Sequence, residues 1–128
     1  MHKHTRTMMS MALVGTLLGG LATGCATYSS KPKLSSEEVM EKGFKGDTSL
    51  FKKISQGNGT QDDFKQLVEL SRELAKNAPP KGDAASWSEK TKALVAAAES
   101  LAQGKPGALD AVKAAANCKA CHSVHKPS

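Results

Sequence analysis

The sequence predicts an all-α protein, an antiparallel four-helix bundle, on three observations. From residue 35 onward, apolar side chains recur at helical spacing in four successive stretches. No segment alternates with period two, so no strand is expected. The stretches are parted by the short breaks "GNGT", "NAPPKGD" and "GKPG", which suit connections between antiparallel neighbours.

The first helix opens at "SSEEVMEKGF", where Ser35 and Glu38 have the spacing of a capping box. Gly46 and Asp47 interrupt it, and "TSLFKKIS" resumes it with Leu50, Phe51 and Ile54 on one side. Thr60, followed by Asp62 and Asp63, starts the second helix. Its stripe is Phe64, Leu67, Val68, Ser71, Leu74, Ala75 and Ala78. Ser86 and Glu89 suggest another capping box, opening a third helix with the stripe Trp87, Thr91, Leu94, Val95, Ala98, Leu101 and Ala102. Leu109, Val112, Ala116 and Ala120 mark a fourth helix that runs to the C-terminus. The core these stripes supply is thin. Beyond residue 24 the aromatics are Tyr28, Phe44, Phe51, Phe64 and Trp87, and the last two helices rely on alanine. A domain of this size buries only about 60–70% of its unfolded surface, so a further apolar body is expected to fill the bundle.

The chain has 128 residues, enough for one domain. Its front has a basic head, Lys3 and Arg6, then an uncharged run from Met8 to Gly24 rich in Met, Leu and Val. That is the layout of a secretory signal peptide. The run is shorter than the ~20 apolar residues of a membrane span and is cut by Gly15, Gly19 and Gly20. It ends in "LATGC", which resembles a bacterial lipobox, although Ala22 stands where leucine is commoner. Cleavage before Cys25 and lipidation of that thiol are expected; ordinary cleavage after Ala26 is the alternative. Lipidation also accounts for a cysteine that would otherwise be a lone exported thiol. Acyl chains contribute about 0.8 kcal/mol per buried CH₂, so several on Cys25 would anchor the protein firmly. Ala26 after Cys25 resembles the pattern sorted to the outer rather than the inner membrane. The expected organisation is thus a signal over residues 1–24, a lipidated cysteine and flexible polar tether over residues 25–34, and a helical domain over residues 35–128. After cleavage 104 residues remain, with 16 of the 18 Lys and Arg against 12 Asp and Glu, a net +4. No basic run is interleaved with aromatics, so no nucleic-acid partner is expected.

The chemistry is concentrated in "ANCKACHSVHKPS". Cys118, Cys121 and His122 spell C-x-x-C-H, the attachment signature of c-type haem. On a helix, positions i, i+3 and i+4 share a face. Two thiols one turn apart can each add to a vinyl group of one porphyrin edge, and the imidazole that follows can reach the iron. A structural zinc site wants four ligands, usually two pairs; here one CxxC is accompanied only by His125. A thioredoxin-type CxxC belongs beside a βαβ pattern, and a structural disulfide does not require the histidine. Ala111, Ala114 and Ala115 precede Cys118 on the same side of a continuous helix, where small side chains let a flat macrocycle approach. Alanine is also simply the best helix former.

A CxxCH on the last of four helices, with the basic Lys126 four residues after His122, resembles the class II c-type cytochromes, the cytochrome c prime family. The resemblance covers Ser35 to the end. It implies one covalent haem c, with Cys118 and Cys121 as thioethers, His122 as the fifth iron ligand and Lys126 close to its imidazole. High-spin members leave the sixth position open and bind small gases; low-spin members fill it with a first-helix methionine and shuttle electrons. Met40 is the candidate, being the only methionine after the signal, and Gly43 one turn later would clear room for the ring. The alternative for Met40 is a core gap-filler. His125 competes for the sixth position but lies on the same helix as His122, on the wrong side of the ring. The family's long unbroken first helix is departed from at Gly46 and Asp47.

The expected protein is therefore a monohaem cytochrome c carrying single electrons in the periplasm or cell envelope, not an enzyme. No distal His–Arg pair, apolar carboxylate pair or nucleophile with a base is visible. Its expected partners are envelope redox proteins and, through Cys25, a membrane; dimers are common in the family, so a homodimer is compatible with the resemblance. The alternative is a five-coordinate haem protein that binds gases such as nitric oxide. A third reading is a helical lipoprotein with a structural metal or disulfide.

Overall fold

The computed structural model describes residues 30–128; the expected signal peptide, the lipobox-like stretch and Cys25 lie outside the described residues. The described chain is all-α, six helices and no strand: α1 (Ser36–Gly43), α2 (Leu50–Ser55), α3 (Gln61–Lys76), α4 (Ala84–Ala102), α5 (Ala108–Ala115) and α6 (Cys118–His125).

Local chemistry explains most of the starts. The predicted capping box of α1 forms: Ser35 Oγ accepts from the Glu38 amide at 3.2 Å, and the Glu38 carboxylate accepts from the Ser35 amide at 2.7 Å. Those bonds from Ser35 hold the Glu38 carboxyl below its usual range. Gly46, at φ 91°, turns the chain in a conformation that favours glycine, and Ser49 then caps α2 by accepting from the Lys52 amide. The first predicted helix is thus two short pieces. Thr60 and Asp63 form a second capping box at α3. The Lys53 ammonium, 2.8 Å away, and then the Thr60 amide and hydroxyl pull the Asp63 carboxyl down to about 2.

Two helix boundaries differ from expectation. The Ser86–Glu89 box is not the start of α4. Asp83 caps it instead, three residues earlier, its carboxylate accepting from the Ser86 amide at 2.7 Å, directly after Gly82 turns the loop at φ 83°. The predicted fourth helix is split. α5 ends at Ala115, and Asn117 caps a new helix by accepting from the Ala120 amide at 3.0 Å. Asparagine is among the best N-caps because its short side chain reaches the free amides of the first turn. Ala111 and Ala114 are consequently exposed, and the alanine face does not run straight on to Cys118.

α3 and α4 are the two long helices, and they run antiparallel. Gln61 at the start of α3 donates to the Ala102 carbonyl at the end of α4, while the Trp87 indole near the start of α4 donates to the Asn77 carbonyl just after α3. Arg72 of α3 adds an ion pair to Glu99 of α4 at 2.8 Å. Leu67, Val68, Ser71 and Leu74 are buried as the stripe required, but Leu70 and Glu73 are buried too, and Ala78 lies past the helix end. Ser71 Oγ is buried without a hydrogen-bond partner among the described residues.

The apolar interior falls into two clusters. One gathers Ile54, Leu67, Val68, Ala97, Ala98, Leu101, Ala108 and Val112. The other gathers Val39, Leu70, Leu74, Trp87 and Leu94, with Met40, Phe44, Ala115, Ala116 and Cys121 packed on its side. Glu73 explains its own burial. It accepts from the Lys33 amide at 2.6 Å and the Leu34 amide, and pairs with Lys76 at 2.6 Å. The Lys76 bond outweighs burial and keeps the carboxyl below its usual range. Asn77 Nδ2 donates to the Leu34 carbonyl at 2.9 Å. The last two residues of the predicted flexible tether are therefore tied to the end of α3.

Candidate functional site

Leu74, Trp87 and Leu94 of the second cluster help to wall a cavity of about 930 Å³, near the upper end of the ~300–1,000 Å³ typical of ligand and cofactor sites. Met40 reaches it from α1, Cys118, Cys121 and His122 from α6, and Lys126 from the residue after α6. All the candidate site residues within the described range thus line one cavity. Its apolar wall is Phe44, Leu74, Trp87 and Leu94; Ala93, Ala114, Ala115, Ala116 and Ala120 add small side chains. Charge is confined to Glu37, Glu41 and Glu89 and to Lys45, Lys90 and Lys126.

Each side chain is placed by a local cause. The Ser35–Glu38 box fixes the first turn of α1, which buries Val39 and leaves Met40 half-buried beside it. Gly43 has a different role from the one expected. It is buried but does not line the cavity, and a Cβ there would stand 2.9 Å from Leu70 Cδ1. The glycine lets α1 and α3 approach, and room for a ring is not what it provides. On α6, the Asn117 cap sets the start of the helix, so Cys118, Cys121 and His122 fall at its first, fourth and fifth residues. Ala114, Ala115 and Ala116 still line the cavity, but Ala111 does not.

The two thiols are free and unlike each other. Cys118 is exposed, with its sulfur 3.6 Å from the Ala116 carbonyl, whereas Cys121 is half-buried. Burial pushes the Cys121 thiol above its ordinary value; Lys90 pulls it back less strongly, and Cys118 adds a further upward push. Because the thiolate is the nucleophile, a raised value means less reactive sulfur at a given pH. In protein with both thiols free, alkylation at pH 8 is expected to modify Cys118 first. Cys121 should lag, and its rate should keep climbing with pH above the ordinary thiol range. Mass spectrometry of the quenched time course checks this; equal rates would contradict it.

Lys126 sits at the rim, and its amide donates to the His122 carbonyl at 3.2 Å, closing α6. That backbone bond is the link observed between the two residues. His125 also borders the cavity, but its ring is engaged by protein: Nδ1 lies 2.8 Å from the Lys81 carbonyl oxygen and Nε2 lies 3.2 Å from Ser86 Oγ. Both ring nitrogens are engaged. Sequence reasoning missed this packing role, and also the Asn117 cap, for which an Asn directly before the motif was the available signal. Among the described residues no three His, Cys, Asp or Glu side chains cluster as a metal cage, and no helix is long and apolar enough to cross a membrane. No family model, curated protein or solved structure matches this chain.

Proposed function

We propose that the cavity is the seat of a single covalent haem c and that the protein is a monohaem cytochrome carrying electrons one at a time. The observation that carries the reading is the donor set around one apolar cavity. Two thiols one helical turn apart, an imidazole directly after the second, and a thioether from a separate helix all border it. The apolar wall and small alanines suit a flat macrocycle, and neither a zinc cage nor a thioredoxin-like site calls for that wall. In this reading Cys118 and Cys121 hold the group by thioether bonds, His122 is the fifth iron ligand and Met40 the sixth. When bound, haem supplies a one-electron couple at its iron, and a Met/His ligand pair favours the ferrous state. Phe44, Leu74, Trp87 and Leu94 would exclude water, while Glu37, Glu41 and Glu89 balance Lys45, Lys90 and Lys126 around the cavity.

The wider architecture fits the same reading. α1 with α2 would be the broken first member, and α5 with α6 the broken fourth, of a bundle like that of the cytochrome c prime family. The net +4 of the chain beyond residue 24 suits an acidic redox partner. Lipidation at Cys25 would hold the domain at an envelope membrane, facing the periplasm.

A pyridine haemochrome assay on protein made in a host with haem-attachment machinery is expected to give one haem c per chain. A colourless product with both thiols free would overturn the proposal, and zinc in its place would favour the structural-metal reading.

A further inference from the structure

α6 buries one side chain, and that side chain is outside the CxxCH motif. His125 is 2% exposed; every other residue of α6 is exposed or half-buried. A carbonyl oxygen only accepts, so the 2.8 Å contact to Lys81 places the hydrogen on Nδ1, and the Ser86 hydroxyl meets Nε2 at 3.2 Å. The Trp87 ring closes a third side, edge-on, with centroids 5.3 Å apart at 75°. Gly82 completes the fit. At φ 83° a Cβ would stand 2.8 Å from the Val124 carbonyl oxygen and 3.2 Å from His125 Nδ1, so glycine alone lets the 77–83 loop close on α6.

An eight-residue helix is marginal by itself, and α6 is separated from α5 by the Ala116–Asn117 break. Held at one buried ring, it could neither slide nor turn without breaking both bonds to His125. That ring lies three residues beyond His122, on a neighbouring part of the same helical face. Fixing its plane fixes the rotation of α6, and so the direction in which His122 meets the cavity. We infer that His125 is a positioning residue: by bonding the Lys81 carbonyl and Ser86, it sets the rotational register of the helix that presents Cys118, Cys121 and His122. The inference deepens the haem reading of the cavity and rests on it.

The test compares holoproteins of the parent, His125→Ala, His125→Asn and Ser86→Ala. His125→Ala is expected to speed amide hydrogen exchange over residues 121–126 by at least about tenfold. Its ferric absorption spectrum should split into high-spin and low-spin species. His125→Asn keeps a donor near the position of Nδ1 and should restore a single species, and Ser86→Ala should fall between. If His125→Ala fails to fold, Ser86→Ala and His125→Asn still carry the comparison. Faster exchange with an unchanged spectrum in His125→Ala would make the ring a structural tie alone and overturn the positioning role. So would a His125→Asn protein no better than His125→Ala. A parent without haem would remove the reading beneath the inference, and the haemochrome assay separates that failure from the other two.

Discussion

Replacing Cys118 and Cys121 together by alanine is expected to give a chain that keeps its helical far-UV signal but loses the fixed environment of Trp87 and its sharp melt. The two apolar clusters explain why the damage should concentrate there. Ile54, Leu67, Ala98 and Val112 pack among themselves away from the cavity, whereas Trp87, Leu94 and Leu74 form its wall. The proposed haem would bind the folded state alone and so stabilise it, and a covalent group cannot be diluted away. Without it, a cavity of about 930 Å³ faces water, and α6 keeps His125 as its only buried residue. Losing even 2–3 kcal/mol lowers Tm by about 10–20 °C in a domain of this size. Near-UV circular dichroism would report Trp87 as in a loosely packed compact state. A cooperative melt at the parent temperature with an ordered Trp87 signal would show that the helices pack fully without the cofactor.

In the proposed haem protein, Met40→Ala is expected to convert a low-spin, six-coordinate spectrum into a high-spin one and to abolish the weak thioether-to-iron band near the red edge. Met40 is the one thioether bordering the cavity, and it comes from α1, an element separate from the helix carrying His122. Thioether ligation favours ferrous iron, so the reduction potential should fall, by on the order of 100 mV within the ~0.8 V range that axial ligands span. The vacated position should then take carbon monoxide or nitric oxide. Stability should change less, by about 1–2 kcal/mol, below the cost of truncating a fully buried methionine because this one is half-buried. A parent that is already high-spin, with a spectrum indifferent to Met40→Ala, would favour the gas-binding reading.

Features decided within a few residues were legible from the sequence. The box at Ser35–Glu38 forms as its spacing required, since both partners sit on one turn, and α3 starts at Thr60 as expected. The stripe from Leu67 to Leu74 predicted burial correctly, because helical period and core face are the same information. Features that depend on a distant partner were not legible. Glu73 is a buried carboxylate only because the Lys33 and Leu34 amides, some forty residues earlier, come to meet it. Gly43 is next to Leu70 and not next to the cavity, which depends on how α1 crosses α3. The Ser86–Glu89 pair had the right spacing and lost to Asp83, because Gly82 at positive φ ends the loop sooner. Of the candidate site, the residue list was available from one motif and one isolated methionine. That Met40 borders the same cavity as Cys118, Cys121 and His122 required the fold.

Residues close to both ends of the described chain border the cavity. They are Ser35 and Ser36, just after the Lys33–Leu34 tie to Glu73, and Lys126 and Pro127. The exposed turn at residues 103–107 lies at the far end of α4, about 22 Å from Trp87 at 1.5 Å per residue. Orientation on a solid support can therefore be chosen by the attachment point. A linkage close to residue 35 or residue 127 turns the cavity toward an electrode or bead, while a cysteine placed at Lys105 turns it outward to solution.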